Sequence, residues 1–192
     1  TVTKSIDEEL LKIENYIEQT LFYARSNTVE KDYYISLSKL NEIVNESIKK
    51  NKMLLIQEKI SLKTHDLDLY VYTDSKWITF VLNQIIQNSA KYMKQGEESE
   101  IEIYANERCE NVTLHIKDNG IGIREEELTR VFDKGFTGTN GRIQNKKSTG
   151  IGLYLCKKLC EKLGIGIEIS SEVLVGTQIR LIFPKNSYLN MK

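Results

Sequence analysis

The sequence predicts an α+β fold: a two-layer α/β sandwich whose mixed, largely antiparallel sheet is covered by helices on one face, preceded by a separate long helix. Three observations carry this. From Tyr33 onward, short apolar runs of strand length alternate with amphipathic segments of helix length. Some of those runs follow each other closely enough to close as hairpins, which argues for antiparallel neighbours in one sheet. The opening residues instead carry a narrow apolar seam among Glu and Lys, a pattern of helices that pack on other helices.

Taken in order, Ile6, Leu10, Ile13, Ile17, Leu21 and Ala24 recur at spacings of four and three. That is an amphipathic helix for a coiled coil or helical bundle, or else a core helix of the main domain. Ser26-Asn27-Thr28 is polar and reads as a link between a first unit over 1–28 and a domain over 29–192. Tyr33 to Leu37 reads as a strand, with Ser38 as N-cap of a helix to about Lys52. Ile60 to Thr64 and Leu69 to Tyr72 are two more strands. Asp74 caps a helix through Tyr92 that buries Trp77, Phe80, Val81 and Ile85. Glu100 to Ala105 and Val112 to Lys117 form a hairpin closed through Glu107 to Asn111. Glu125 to Val131 is a short helix, and Gly150 to Leu163 a longer one stopped by Gly164. Ile165 to Ser170 and Thr177 to Phe183 end the fold as paired strands, and Pro184 ends the regular structure.

The totals exclude several classes. The chain has 192 residues with 27 basic and 27 acidic side chains, a formal net charge of zero. Nucleic-acid binders carry a basic excess, so nucleic acid is not an expected partner. Cys109, Cys156 and Cys160 are sparse, odd in number and form no CxxC pair, which fits a reducing compartment rather than a disulfide framework. Cys156 and Cys160, one turn apart on a predicted helix, read as small buried hydrophobes. No apolar run approaches the ~18 residues of a membrane span, and no signal-peptide pattern opens the chain. The first residue is Thr1, and the chain reads as a fragment of a longer protein.

The chemistry lies in two glycine-bearing elements, Asp118-Asn119-Gly120-Ile121-Gly122 and Ser148-Thr149-Gly150-Ile151-Gly152. Between them runs a polar, Lys-rich stretch that also carries Phe132 and Phe136. Glycine lets backbone approach a ligand closely, and Gly-x-Gly opening a helix aims unpaired N–H groups at phosphate. Asp118 ends the alternating run Val112 to Lys117 and offers a carboxylate where a strand enters a turn; in isolation it could equally make a plain Asx-turn. Upstream, Asn88-Ser89-Ala90-Lys91-Tyr92 adds a metal-ligand amide and an ammonium that seeks phosphate. Asn88 and Lys91 alone would read as solvated helix residues, and Phe132 and Phe136 alone as core anchors.

In this order the segments resemble the ATP-binding catalytic domain of bacterial sensor histidine kinases, within the superfamily that includes gyrase-type and chaperone ATPases. Asn88 with Lys91 and Tyr92 matches the family's N box, and Asp118 to Gly122 its first glycine box. Val131-Phe132-Asp133-Lys134-Gly135-Phe136 resembles its F box, and Gly150-Ile151-Gly152-Leu153 its second glycine box. The wording Gly135-Phe136-Thr137-Gly138 and Gly152 to Cys156 is similar to small Gram-positive sensor kinases that detect antimicrobial peptides.

The resemblance implies the cytoplasmic catalytic portion of a two-component sensor histidine kinase, with ATP and Mg2+ as cofactors. It implies a homodimer in the full-length kinase, a response regulator as partner, and a membrane transporter or sensor partner, the parent lying in the bacterial cell membrane. The seam at Ile6 to Ala24 would be the second helix of the dimerisation hairpin. Asn88 would hold Mg2+ while the ion keeps waters, and Lys91 would reach phosphate from the same helical face. Asp118 would accept the adenine amino group and disfavour guanine's carbonyl, with Gly120, Gly122, Ile123, Tyr92 and Leu153 shaping the pocket. Thr177 stands where the family has a hydroxyl near adenine. Gly150 and Gly152 would open the last helix toward phosphate. The connection from Asp133 to Thr149, with little apolar content and four basic residues in Lys134, Arg142, Lys146 and Lys147, would be a lid, with Phe132, Lys134, Phe136, Arg142 and Lys147 as its functional side chains.

Gln84 departs from the hydrolysing members of the superfamily, which place a water-polarising glutamate four residues before the metal asparagine. A glutamine cannot act as a base, so this departure favours phosphoryl transfer, which relies on positioning and charge neutralisation. The alternatives are an ATP-hydrolysing protein or a serine-kinase regulator of the same superfamily. The acceptor histidine is not recognisable: His65-Asp66-Leu67-Asp68 imitates the opening of the family's motif without its proline, and His115 alternates within a strand. The chain is expected to begin downstream of the true acceptor.

Overall fold

Alternating apolar residues on three strands build the buried face of the sheet that positions Asp118 and Thr177. The computed structural model describes residues 33–138 and 149–185; the predicted helix at Ile6 to Ala24 and the lid residues Arg142, Lys146 and Lys147 lie outside them. The elements run β1 (Ser36–Lys39), α1 (Leu40–Gln57), β2 (Ile60–His65), β3 (Tyr70–Thr73), α2 (Ser75–Lys91), β4 (Ser99–Glu107), β5 (Asn111–Asp118), α3 (Glu125–Leu128), α4 (Gly152–Lys162), β6 (Gly166–Glu172) and β7 (Gly176–Pro184). Five strands form a mixed sheet in the order β2-β4-β5-β7-β6, in which only β2 and β4 are parallel.

On one sheet face Ile101, Ile103, Val112, Leu114, Ile116, Ile179, Leu181 and Phe183 are buried. Against them stand Val44 of α1, Ile78, Val81, Leu82 and Ile85 of α2, and Leu155 and Leu159 of α4. Each such side chain contributes about 1.5–3 kcal/mol by leaving water, so this single layer dominates the fold's stability. Cys156 and Cys160 belong to it as the small hydrophobes expected, and burial pushes both thiols up, Cys160 to about 12. Between α1 and α2, the Asn51 amide donates to Ser47 O at 2.8 Å and to Asn83 Oδ1 at 2.9 Å.

The opposite sheet face is polar, and both histidines lie on it. His65, Tyr104 and His115, from β2, β4 and β5, stack with centroids 4.9 and 4.5 Å apart and planes within 4°. His65 pairs with Asp66 at 2.9 Å, and the Asp66 hydrogen bond raises its pKa. His115 contacts Asn106 and Gln178, and burial lowers its pKa.

Several expectations differ from what is found, among them the short helix expected from Glu125 to Val131, which ends at Leu128. β1 and β3 do not join the main sheet; they form their own antiparallel ribbon. Ser38 is not an N-cap: Lys39 precedes α1, no side chain caps it, and the Leu40 N–H donates to Leu69 O at 2.9 Å instead. The helix then runs beyond Lys52 to Gln57. Trp77 is half-buried rather than in the core, with Lys76 Nζ 5.6 Å above its ring. Asp74 does cap α2, accepting from Lys76 N–H at 3.1 Å and Trp77 N–H at 3.3 Å. Among the described residues no helix is long and apolar enough to cross a membrane.

Candidate functional site

Strand alternation decides where Asp118 points. It follows Val112, Leu114 and Ile116 on the helix-covered face of β5, at the end of the strand where α2 and β7 converge. Its Oδ2 accepts the Ser89 hydroxyl at 2.8 Å. Its Oδ1 accepts the backbone N–H of Gly120 at 3.0 Å and of Thr177 at 3.1 Å. Burial raises its pKa, and the donors from Ser89, Gly120 and Thr177 work against that. The Gly120 contact is an Asx-turn, so the plain reading of Asp-Asn-Gly holds, but the turn uses only one lone pair of four. Two donors fill Oδ1, leaving one acceptor direction on Oδ2 beside Ser89.

Close backbone approaches lock this carboxylate in place. A Cβ on Gly120 would lie 2.6 Å from Tyr92 O, the carbonyl that also accepts the Ile121 N–H at 3.0 Å. The glycine turn is thereby fastened to the C-terminal end of α2, which carries Asn88, Lys91 and Tyr92. Gly122 (φ +69) would collide with Glu172 O, and Gly176 (φ +140) with Asp118 O, if either had a Cβ. Neither of those two positions admits another residue without moving a strand.

Ser171 joins the cluster from β6, opposite Thr177 in the β6–β7 register. Its Oγ accepts the Ile123 N–H at 2.9 Å, lies 2.7 Å from Gly176 O and 2.9 Å from Thr177 Oγ1. Lys91 Nζ lies 5.4 Å from the ring centroid of Tyr92. Asn88 is half-buried on α2, one residue before Ser89.

The second glycine element starts α4. Gly150 (φ +64) would clash with Gly135 and Phe136 backbone if substituted, and its carbonyl accepts the Gly135 N–H at 2.9 Å. This contact ties the segment holding Phe132 and Phe136 to the start of the helix. Neither phenylalanine is a core anchor: both are half-buried, with Lys157 Nζ 5.8 Å from the Phe132 centroid and Arg130 Cζ 4.8 Å from that of Phe136. Lys134 is exposed and Leu153 half-buried. No side chain of the N-cap residue Ile151 satisfies the opening N–H groups of α4. Gln84, only 5% exposed, sits under this helix start, its Oε1 2.9 Å from where a Gly152 Cβ would be.

The donor set suits a nucleotide. A carboxylate with one lone pair to spare recognises an amine, and a helix N-terminus with glycine at its opening recognises phosphate. Among the described residues no group of three or more His, Cys, Asp or Glu could hold a metal. A divalent ion at the Asn88 amide would therefore draw its other oxygens from phosphate and water, a coordination Mg2+ accepts.

Ser89, Ser171 and Gly176 are the members of the cluster that motif reading does not single out. Ser171 could have been found from the hairpin register, which sets it opposite Thr177.

Comparison with known proteins gives the family. The family model of histidine kinase-, DNA gyrase B- and HSP90-like ATPases matches residues 73–187. The chain is 34% identical over 184 residues to the sensor histidine kinase YxdK of Bacillus subtilis, covering 95% of this chain and 56% of that protein. It is 36% identical over 190 residues to the sensor histidine kinase GraS of Staphylococcus haemolyticus, covering 97% and 53%. The chain thus spans about half the length of the curated relatives it matches. Among solved structures, the nucleotide-free catalytic domain of the histidine kinase ThkA superposes with a TM-score of 0.66 at 25% identity, covering 79% of this chain and 98% of that one.

Proposed function

Since the chain belongs to the family of histidine kinase-, DNA gyrase B- and HSP90-like ATPases, we propose that it is the catalytic, Mg-ATP-binding portion of a two-component sensor histidine kinase. Its γ-phosphate acceptor would be a histidine outside this chain, for relay to a response regulator. The observation that carries the reading is the Asp118 carboxylate, oriented by three donors and held where two strands and α2 meet.

In this reading Asp118 Oδ2 accepts an N–H of the adenine amino group, and Thr177 stands beside it. Gly120, Gly122, Ile123, Tyr92 and Leu153 shape the pocket. Asn88 supplies one oxygen to Mg2+, Lys91 and the N–H groups of Gly150, Gly152 and their neighbours meet phosphate, and Phe132, Lys134, Phe136, Arg142 and Lys147 belong to a lid. Bound Mg-ATP supplies the phosphoryl group and the charge neutralisation that transfer needs. The protein's part is to fix the nucleotide and keep it from water.

Gln84 favours transfer over hydrolysis. It occupies the place of a water-polarising glutamate but cannot take a proton. The wider setting is part of the same proposal: a homodimeric parent anchored in the membrane, with this portion in the cytoplasm, and a membrane transporter or sensor as a further partner. The test is a titration paired with a phosphate-release assay. Mg-ATP should bind the purified chain while steady-state hydrolysis stays near background. Sustained turnover would replace the kinase reading with the ATPase one.

A further inference from the structure

The surroundings of Ser171 leave no freedom in where its proton goes. Its Oγ lies 2.7 Å from Gly176 O, a carbonyl that can only accept, so the Ser171 hydroxyl donates there. The Ile123 N–H, which can only donate, gives its hydrogen to the same Oγ at 2.9 Å. A hydroxyl has one proton and two acceptor directions. With the proton committed to Gly176 O, the 2.9 Å contact with Thr177 Oγ1 is a bond that Thr177 donates. Ser171 is then fully satisfied, and Thr177 has no proton left for anything else. Its oxygen offers lone pairs only, in the residue whose backbone N–H already holds Asp118 Oδ1.

We propose that Ser171 is a specificity-determining positioning residue: by fixing the proton of Thr177, it makes the base-facing edge of the site a surface of acceptors alone. This rests on the reading that the Asp118 cluster receives the base of ATP. An exocyclic amine finds acceptors at both Asp118 and Thr177. A purine with a carbonyl in that place, as in inosine triphosphate, meets a carboxylate and a hydroxyl that cannot turn its proton toward it. Freed from Ser171, Thr177 could donate to that carbonyl and offset part of the mismatch.

The experiment measures Kd for ATP and for inosine triphosphate, both with Mg2+, on the unaltered chain, Ser171→Ala, and the double variant Ser171→Ala with Thr177→Val. The ratio of the two constants is the readout, because general loosening of the pocket weakens both nucleotides. Ser171→Ala should lower the discrimination by about tenfold, the size of one recovered hydrogen bond, and the double variant should restore it. A ratio unchanged in Ser171→Ala, or a fall that persists in the double variant, overturns the proposal. If Ser171→Ala does not fold, the unaltered protein decides. The 6-chloropurine analogue of ATP, with no hydrogen and only a poor acceptor at that position, should bind more tightly than inosine triphosphate; the reverse order overturns the proposal. Absence of any ATP binding would remove the nucleotide reading and this one together, whereas ATP binding with an unmoved ratio removes only the role of Ser171.

Discussion

Replacing Asp118 with Asn separates recognition from folding at one atom. The Asn carbonyl can keep the bonds from Gly120 and Thr177 that Oδ1 accepts at 3.0 and 3.1 Å. Its NH2 then faces Ser89, whose hydroxyl can rotate from donor to acceptor at the same 2.8 Å separation. The native network therefore survives, and what changes is the group offered to the ligand, from an anionic acceptor to a donor. Losing a charge-assisted hydrogen bond costs about 1.5–3 kcal/mol, so ATP affinity should fall roughly ten- to a hundred-fold.

Stability should move the other way. Burial raises the Asp118 pKa above its ordinary value of 3.8, so the folded state holds its proton more readily than the unfolded chain does. Ionised Asp118 is then a destabilising group above that raised pKa, a burden relieved as pH falls through it. Asn carries no such burden, and the variant's midpoint in urea at neutral pH should equal or exceed that of the unaltered chain. Calorimetric titration with ATP beside urea unfolding checks both halves. Unchanged affinity in a folded variant would remove Asp118 from the site; a lowered midpoint would show that the network does not survive the swap.

Further expectations rest on separate residues. Asn88→Ala should abolish the Mg2+ enhancement of ATP binding and leave adenosine binding intact, as titrations with and without Mg2+ would read. Gly164 (φ +67) has nothing within 4 Å of a Cβ, so Gly164→Ala should cost only the left-handed strain of about 1–2 kcal/mol; Gly176→Ala, which collides with Asp118 O, should cost clearly more in the same urea series. Leu174, 67% exposed at φ +63, carries that strain too, and Leu174→Gly should raise the midpoint or leave it unchanged. The two stacked histidines should titrate on opposite sides of 6.5 by NMR, His65 above and His115 below. His65 accordingly adds stability below 6.5 that is lost as pH rises through its raised value, while what His115 adds is present above 6.5 and lost as pH falls through its lowered one.

Local chemistry was legible in the sequence, and contacts across the fold were not. Asp74 as a cap, the β4–β5 hairpin and Gly164 as a stop depend on neighbours along the chain, and all are found. Ser38 misled because the Leu40 N–H is satisfied by Leu69 O, a partner brought in by the β1–β3 ribbon rather than by a side chain nearby. Trp77 sits among buried neighbours in the helical pattern, but it extends toward Lys76 and the surface. At the site, Asp118, Gly120, Gly122 and Thr177 come together as their motif order suggests. Ser89 emerges only once α2 is laid over the end of β5, and the need for glycine at 176 only once β7 runs beside Asp118.

Transfer of radiolabelled phosphate from ATP tests the central claim most directly. The chain should be mixed with Mg-ATP alone, and with an added helical-bundle segment carrying an acceptor histidine from such a kinase. Alone it should gain no acid-labile phosphate: His65 is held by Asp66 and Glu102 and stacked on Tyr104, and His115 is bonded to Asn106 and Gln178. With the segment present, acid-labile label should appear on the added histidine, and it should be lost with Asn88→Ala. Strong labelling of the isolated chain at His65, or no transfer to the supplied histidine while ATP is bound, would contradict the account.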